Sequence, residues 1–191
     1  MFNRLREGLL FPAWTFYGTI PGPTLRMTQG DHVRVTVINS KNSAHPHSWH
    51  VYSIHSGAMD GVMGLAGMIW PGQKFVYDFV AQPYGVYPSH CQMAPVEEHI
   101  NSRLYGMMII DQPYTEKGPH ATEMVMLING YSFTKAIQTN PTEEGPPTPA
   151  DMNNATARNE ILTDQDPTNQ VYTVNGMAFG YTGKDEIHLK T

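Results

Sequence analysis

One cysteine and a crowd of histidines dominate the chemistry available to this chain. Cys91 is the single cysteine among 191 residues, against nine histidines and twelve methionines. It has no second thiol for an internal disulfide. Its near neighbours in sequence are His90 and His99, within "GVYPSHCQMAPVEEHINSRLYGMMIID". A second histidine-rich stretch, "NSAHPHSWHVYSIHSGAMDG", carries His45, His47, His50 and His55. A zinc ribbon would need C-x-x-C pairs, and the chain has none. A cysteine nucleophile with a distant histidine base stays open, because such pairs need not be close in sequence. A thiolate with two imidazoles and a weak or absent fourth ligand describes a blue-copper type of site. The remaining reading is a sandwich with a structural zinc or no metal.

The elements that must position these groups are strands. Helical periodicity is weak, and fifteen prolines with seventeen glycines interrupt the chain. "DHVRVTVIN" sets Val33, Val35 and Val37 on one face and Arg34, Thr36 and Ile38 on the other. "QKFVYDFVA", "YGMMIID" and "EMVMLING" read as further strands, with turns at Pro21–Pro23, Gln29–Asp31 and Pro71–Gln73. Many short strands between Gly/Pro turns predict an all-β Greek-key sandwich. From Thr134 to Asp166 the chain is polar and proline-rich, a long loop or linker with a short helix around Ala155–Ile161. "QVYTVNG" and "KDEIHLK" follow as two strands of a C-terminal extension. The expected domains are 1–113, carrying the metal site, and 114–191, a linker with the extension.

Neighbours on a strand point to opposite faces, so Cys91 and His90 should not share one small site. By the same rule His50 and His55 diverge. The economical grouping is Cys91 with His50 and His99 inside, and His90 with His55 outside. His45 and His47 lie near the proposed site and read more simply as loop histidines, and Trp49 as ring packing beside the metal. Glu97 and Glu98 could orient the His99 imidazole or belong to a solvated loop. His32 reads as a solvated neighbour of Arg34.

"AWTFYGTIPGPTLRMTQGDHVRVTVIN", "HVYSIHSG" and "WPGQKFVYDFVAQPYGVYPSHC" together resemble the multicopper oxidases, above all the first cupredoxin domain of copper nitrite reductases. The resemblance implies a cupredoxin fold with type 1 copper on His50, Cys91 and His99, and a type 2 copper using His55 and His90. Two departures bear on function. Leu104 stands where the family has its axial methionine, which leaves Met93 as a conceivable substitute. Ser53 stands where nitrite reductases have a proton-relaying aspartate. The family's third type 2 histidine comes from a neighbouring subunit's second domain; here the later histidines, His120 and His188, read as surface residues.

The reading that follows is a type 1 copper oxidoreductase passing electrons, acting on nitric oxide or nitrite at an open copper. A homotrimeric nitrite-reductase-like or multicopper oxidase enzyme with interfacial type 2 copper is the alternative, and a pure electron carrier the next. Its partners would be a redox protein or a small nitrogen oxide. A net charge of −5 gives no reason to expect nucleic acid. No apolar run approaches the roughly 20 residues of a membrane span. The N-terminus makes a poor signal peptide, and the resemblance implies a periplasmic or extracellular setting.

Overall fold

In the computed structural model, residues 2–6, 9–52, 57–113, 121–132, 137–138 and 170–177 are described. In chain order the elements are β1 (Phe2–Arg6), β2 (Leu9–Pro12), β3 (Leu25–Thr28), β4 (His32–Ile38), β5 (His50–Val51) and a 3₁₀ turn (Gly57–Met59). They continue with β6 (Lys74–Val80), β7 (Gly85–His90), α1 (Val96–Asn101), β8 (Tyr105–Asp111), β9 (Ile128–Ser132), β10 (Ile137–Gln138) and β11 (Gln170–Val174). Two compact units emerge: Trp14–Glu123, and Met1–Ala13 with Met124–Thr191.

The Trp14–Glu123 unit holds two sheets. One has the order β3-β8-β7-β5, and the other pairs β4 with β6. Val33, Val35 and Val37 of β4 are partly buried while His32, Arg34, Thr36 and Ile38 are exposed, as the alternation requires. On the exposed face Arg34 lies directly opposite Asp78 of β6 and donates to it at 3.0 Å. His32, an exposed ring, reaches the same carboxylate. These contacts, Arg34 first, hold the Asp78 carboxyl below the usual range.

Between the sheets lies a core of Trp49, Val51, Ile69, Tyr77, Phe79, Ala81, Met108 and Ile110. Tyr77 secures it with its hydroxyl, which donates to the Gly67 carbonyl at 2.9 Å and accepts the Trp49 N–H at 2.8 Å. Burial pushes that hydroxyl's pKa up to about 12, so it stays protonated and able to donate. A second, smaller apolar cluster surrounds Cys91: Met93 and Leu104 are buried with it, and Trp14, Phe16 and Met68 pack against them.

In the other unit, β1, β2 and β10 form a three-stranded sheet, and β9 pairs with β11 in antiparallel register from Ile128↔Val174 to Ser132↔Gln170. The strand expected from Glu123 starts only at Ile128. Residues 125–127 are instead held by one side chain, since Asn175 donates to the Val125 carbonyl and accepts the Leu127 N–H. The predicted helix around 155–161, the strand at 184–190 and most of the expected long loop lie outside the described residues.

Candidate metal centre

Strand register decides which histidine meets the cysteine. β5 and β7 are antiparallel, with His50 opposite His90 and Val51 opposite Ser89. Residues directly opposed on neighbouring strands share a face. Val51 and Ser89 are buried, on the core side, so His50 and His90 occupy the other side. Cys91 follows His90 and returns to the core side with Ser89, at 0% exposure. The expected grouping of His50 with Cys91 is therefore corrected: His50 sits on the wrong face of the sheet. Counting back from Val51, the positions that alternate toward the core are Trp49 and His47. His47 is pinned by a two-way backbone bridge to Ile69, with N···O distances of 3.0 and 2.8 Å.

His47, Cys91 and His99 form one cluster whose ligand atoms all lie within 4.8 Å of one another. The Cys91 Sγ is 3.2 Å from His99 Nδ1 and 3.9 Å from His47 Nδ1, and the two Nδ1 atoms are 3.2 Å apart. The far nitrogen of His47 is occupied by the Ser43 hydroxyl at 3.2 Å, which leaves Nδ1 as the atom aimed at the sulfur. His99 arrives on α1, a short helix in the β7–β8 connection, and is its buried residue. The Cys91 N–H bonds the Leu104 carbonyl at 2.9 Å, and the Leu104 N–H bonds the His99 carbonyl at 3.2 Å, closing that connection into a fixed loop. The Trp14 ring packs against His45, His47 and His99, with centroids 4.9, 5.2 and 5.0 Å away.

Donors converge on the sulfur as well. The Ser48 N–H points to Sγ at 3.3 Å, and the Ser48 hydroxyl lies 3.9 Å from it. That hydroxyl also accepts the Gln92 N–H at 3.0 Å. Burial pushes the Cys91 thiol's pKa up, opposed by the N–H groups of Met93 and Ser48 and by the Ser48 hydroxyl. These donors favour a thiolate once a cation compensates the burial, so metal uptake should release a proton.

Burial, and then the neighbouring His99 and His45, push His47 down from 6.5 to about 3. His90 is lowered too, again mainly by burial. Below 6.5 an unfolded His47 takes up a proton that the folded chain refuses, so unfolding is favoured as pH falls toward about 3. Metal-free protein should therefore lose stability from about pH 6.5 downward, at about 1.4 kcal/mol per pH unit from this residue. Urea midpoints measured at pH 7 and pH 5 check this. Equal midpoints would mean that His47 protonates without penalty.

On the outward face His90 has a histidine opposite it, while the expected pairing with His55 falls outside the described residues. His50 and His90 face each other with ring centroids 5.2 Å apart, and the Tyr52 ring packs against both, at 5.5 and 5.3 Å. His55 and Ser53 lie outside the described residues. His90 Nδ1 lies 3.1 Å from the Cys91 carbonyl, while its Nε2 is buried without a hydrogen-bond partner among the described residues. Met93 and Leu104 both pack in the cluster around Cys91, at 1% and 3% exposure. The signal that would have singled out His47 was its shared parity with Trp49 and Val51.

A family model described as multicopper oxidase matches residues 4–115. The copper-containing nitrite reductase of Neisseria meningitidis serogroup A is 30% identical over 132 residues, which cover 69% of this chain and 33% of that protein. A solved multicopper oxidase superposes with a TM-score of 0.71 at 33% identity, covering 95% of this chain and 53% of the other. Copper nitrite reductase from Nitrosomonas europaea follows with a TM-score of 0.67 at 29% identity, covering 92% of this chain and 52% of the other. The chain thus spans about a third of that curated relative and about half of those solved chains. These likenesses bear out the all-β cupredoxin sandwich. The family match takes in His47, Cys91 and His99, and the chain belongs to the multicopper oxidase family.

Proposed function

We propose that this chain is the type 1 copper domain of an electron-transferring oxidoreductase, with His47, Cys91 and His99 as the copper ligands. The convergence of a buried sulfur and two Nδ1 atoms within 4.8 Å carries the reading. The donor set fits copper: a thiolate and two imidazoles are the trigonal set of blue-copper centres. When bound, copper supplies one-electron chemistry between its two oxidation states. The chain's own contribution is rigidity. His47 is held by its backbone bridge and by Ser43, and His99 by the loop closed through Leu104. The N–H groups aimed at Cys91 draw charge from the sulfur and raise the potential. Met93 and Leu104 keep the surroundings of the sulfur apolar, which acts in the same direction.

A second copper is favoured by one observation, the buried Nε2 of His90 beside His50. In this reading the second site uses His50 and His90, and further ligands come from a neighbouring subunit of a homotrimer, with nitrite or nitric oxide as the substrate. A chain with the first centre alone would be an electron carrier for a redox partner. No helix among the described residues is long and apolar enough to cross a membrane, and we place the protein in a periplasmic or extracellular setting.

Copper per chain, with visible and EPR spectra on the same reconstituted sample, tests both readings. One copper with an intense thiolate band and a type 1 signal supports the carrier. Close to two coppers with an added type 2 signal supports the trimeric enzyme. Copper-loaded protein without colour would overturn the type 1 assignment.

A further inference from the structure

The face of β5 and β7 turned away from Cys91 contains a carboxylate that none of the roles above uses. His50 Nδ1 lies 2.9 Å from Asp60 Oδ1 and 3.1 Å from the Asp60 backbone carbonyl oxygen. Both atoms are acceptors, so Nδ1 must carry a proton to satisfy them. The lone pair of His50 is thereby placed on Nε2. His90 reaches the same state by another route. Its Nδ1 donates to the Cys91 carbonyl, which leaves the lone pair on the buried Nε2. Two opposed imidazoles thus carry the same tautomer, each fixed by an oxygen acceptor on the opposite ring nitrogen.

Asp60 is itself held in place. It follows the 3₁₀ turn Gly57–Met59 and precedes Gly61, whose N–H donates to the Ala66 carbonyl at 3.1 Å. Gly61 has φ +73°, and a Cβ there would meet the Ser48 Cβ at 2.9 Å, so this loop lies directly on the segment leading into β5. His50 is mostly buried at 13% side-chain exposure and Asp60 is half-open at 32%, which shields the contact in part from water.

We infer that Asp60 is a positioning residue for His50, fixing the Nε2 lone pair and the ring orientation so that His50 and His90 can bind one metal ion together. The inference rests on the second-copper reading. Carboxylate partners of this kind orient metal-binding imidazoles and raise their basicity, and losing one typically weakens metal binding about 10–100-fold.

The test uses full-length, metal-free protein labelled with ¹⁵N-histidine at pH 8, followed by copper(II) titration against a competing chelator. Two-bond ¹H–¹⁵N spectra should show His50 as the Nδ1–H tautomer in the wild type. Asp60→Ala keeps only the backbone carbonyl as acceptor, so it should shift His50 at most partly toward the other tautomer and weaken uptake of the second copper about 10–100-fold. Asp60→Asn, which keeps an oxygen acceptor, should retain the wild-type tautomer and recover part of the affinity. Wild-type His50 found as the Nε2–H tautomer would overturn the inference, and this holds even if Asp60→Ala fails to fold. Unweakened uptake of the second copper by folded Asp60→Ala would overturn it too. A tautomer shift in protein that takes up no second copper would uphold the positioning role while refuting the second-copper reading.

Discussion

Copper-loaded Cys91→Ala should be colourless, with its type 1 EPR signal gone. The intense visible band of such a centre is charge transfer from sulfur to copper, and this chain has no second cysteine to supply one. No neighbour can supply another thiolate: the apolar side chains buried with Cys91 are Met93 and Leu104. A thioether is a weak ligand, and leucine is none. The fold should survive. The Cys91 backbone stays bonded to Leu104, and removing one sulfur is a modest change of about 1 kcal/mol, the centre of the distribution for point mutants. Absorption spectra of wild type and variant at equal copper loading decide the matter, with far-UV circular dichroism as the folding control. A variant that keeps its colour would refute the thiolate assignment.

The second large effect is a contrast between two histidines three residues apart. His47→Ala should bleach the centre and weaken copper binding there by more than about 100-fold, beyond the loss caused by removing an outer-shell partner. His50→Ala should leave the blue band in place, because its ring lies on the opposite face of the sheet with His90. In His47→Ala the pair His99 and Cys91 remains 3.2 Å apart, so residual copper would sit in a two-ligand site open to water and to oxidation. Spectra of the two variants at one equivalent of copper measure the contrast. Bleaching by His50→Ala with colour retained in His47→Ala would mean that β5 is out by one residue, since such a slip exchanges its faces.

Much of the scaffold was legible in the sequence, for a physical reason. β4 alternates valine with polar residues because one of its faces meets a core and the other meets water, and that pattern survives any error in pairing. β6, β8 and β11 were readable in the same way. Cys91 and His99 could also be singled out, since a lone cysteine near a histidine has few explanations. The choice between His47 and His50 was not legible. Each could be turned inward by a shift of one residue, and what decides between them is the long-range register His50↔His90. The parity rule itself was sound, because it separated Cys91 from His90 correctly, but it was anchored on the wrong histidine. Trp49 and Val51, two large apolar side chains alternating in step with His47, held the information needed to anchor it. The late start of β9 was hidden for a different reason: Asn175 claims the backbone groups of Val125 and Leu127 from a distant part of the chain.

The bare backbone at Gly61 has a consequence for how this protein can change over evolutionary time. Ser48 is in contact with Gly61 on one side and gives its N–H to the Cys91 sulfur on the other. Adding even a methyl group at position 61 would strain a left-handed φ and press on Ser48, displacing a donor to the sulfur. The same displacement would move Asp60, and with it the partner of His50. A residue with no side chain thus joins the two faces of the sheet and couples drift in one site to drift in the other. Lineages that retune one centre would have to do so at positions other than 61, which makes this glycine a narrow gate on divergence.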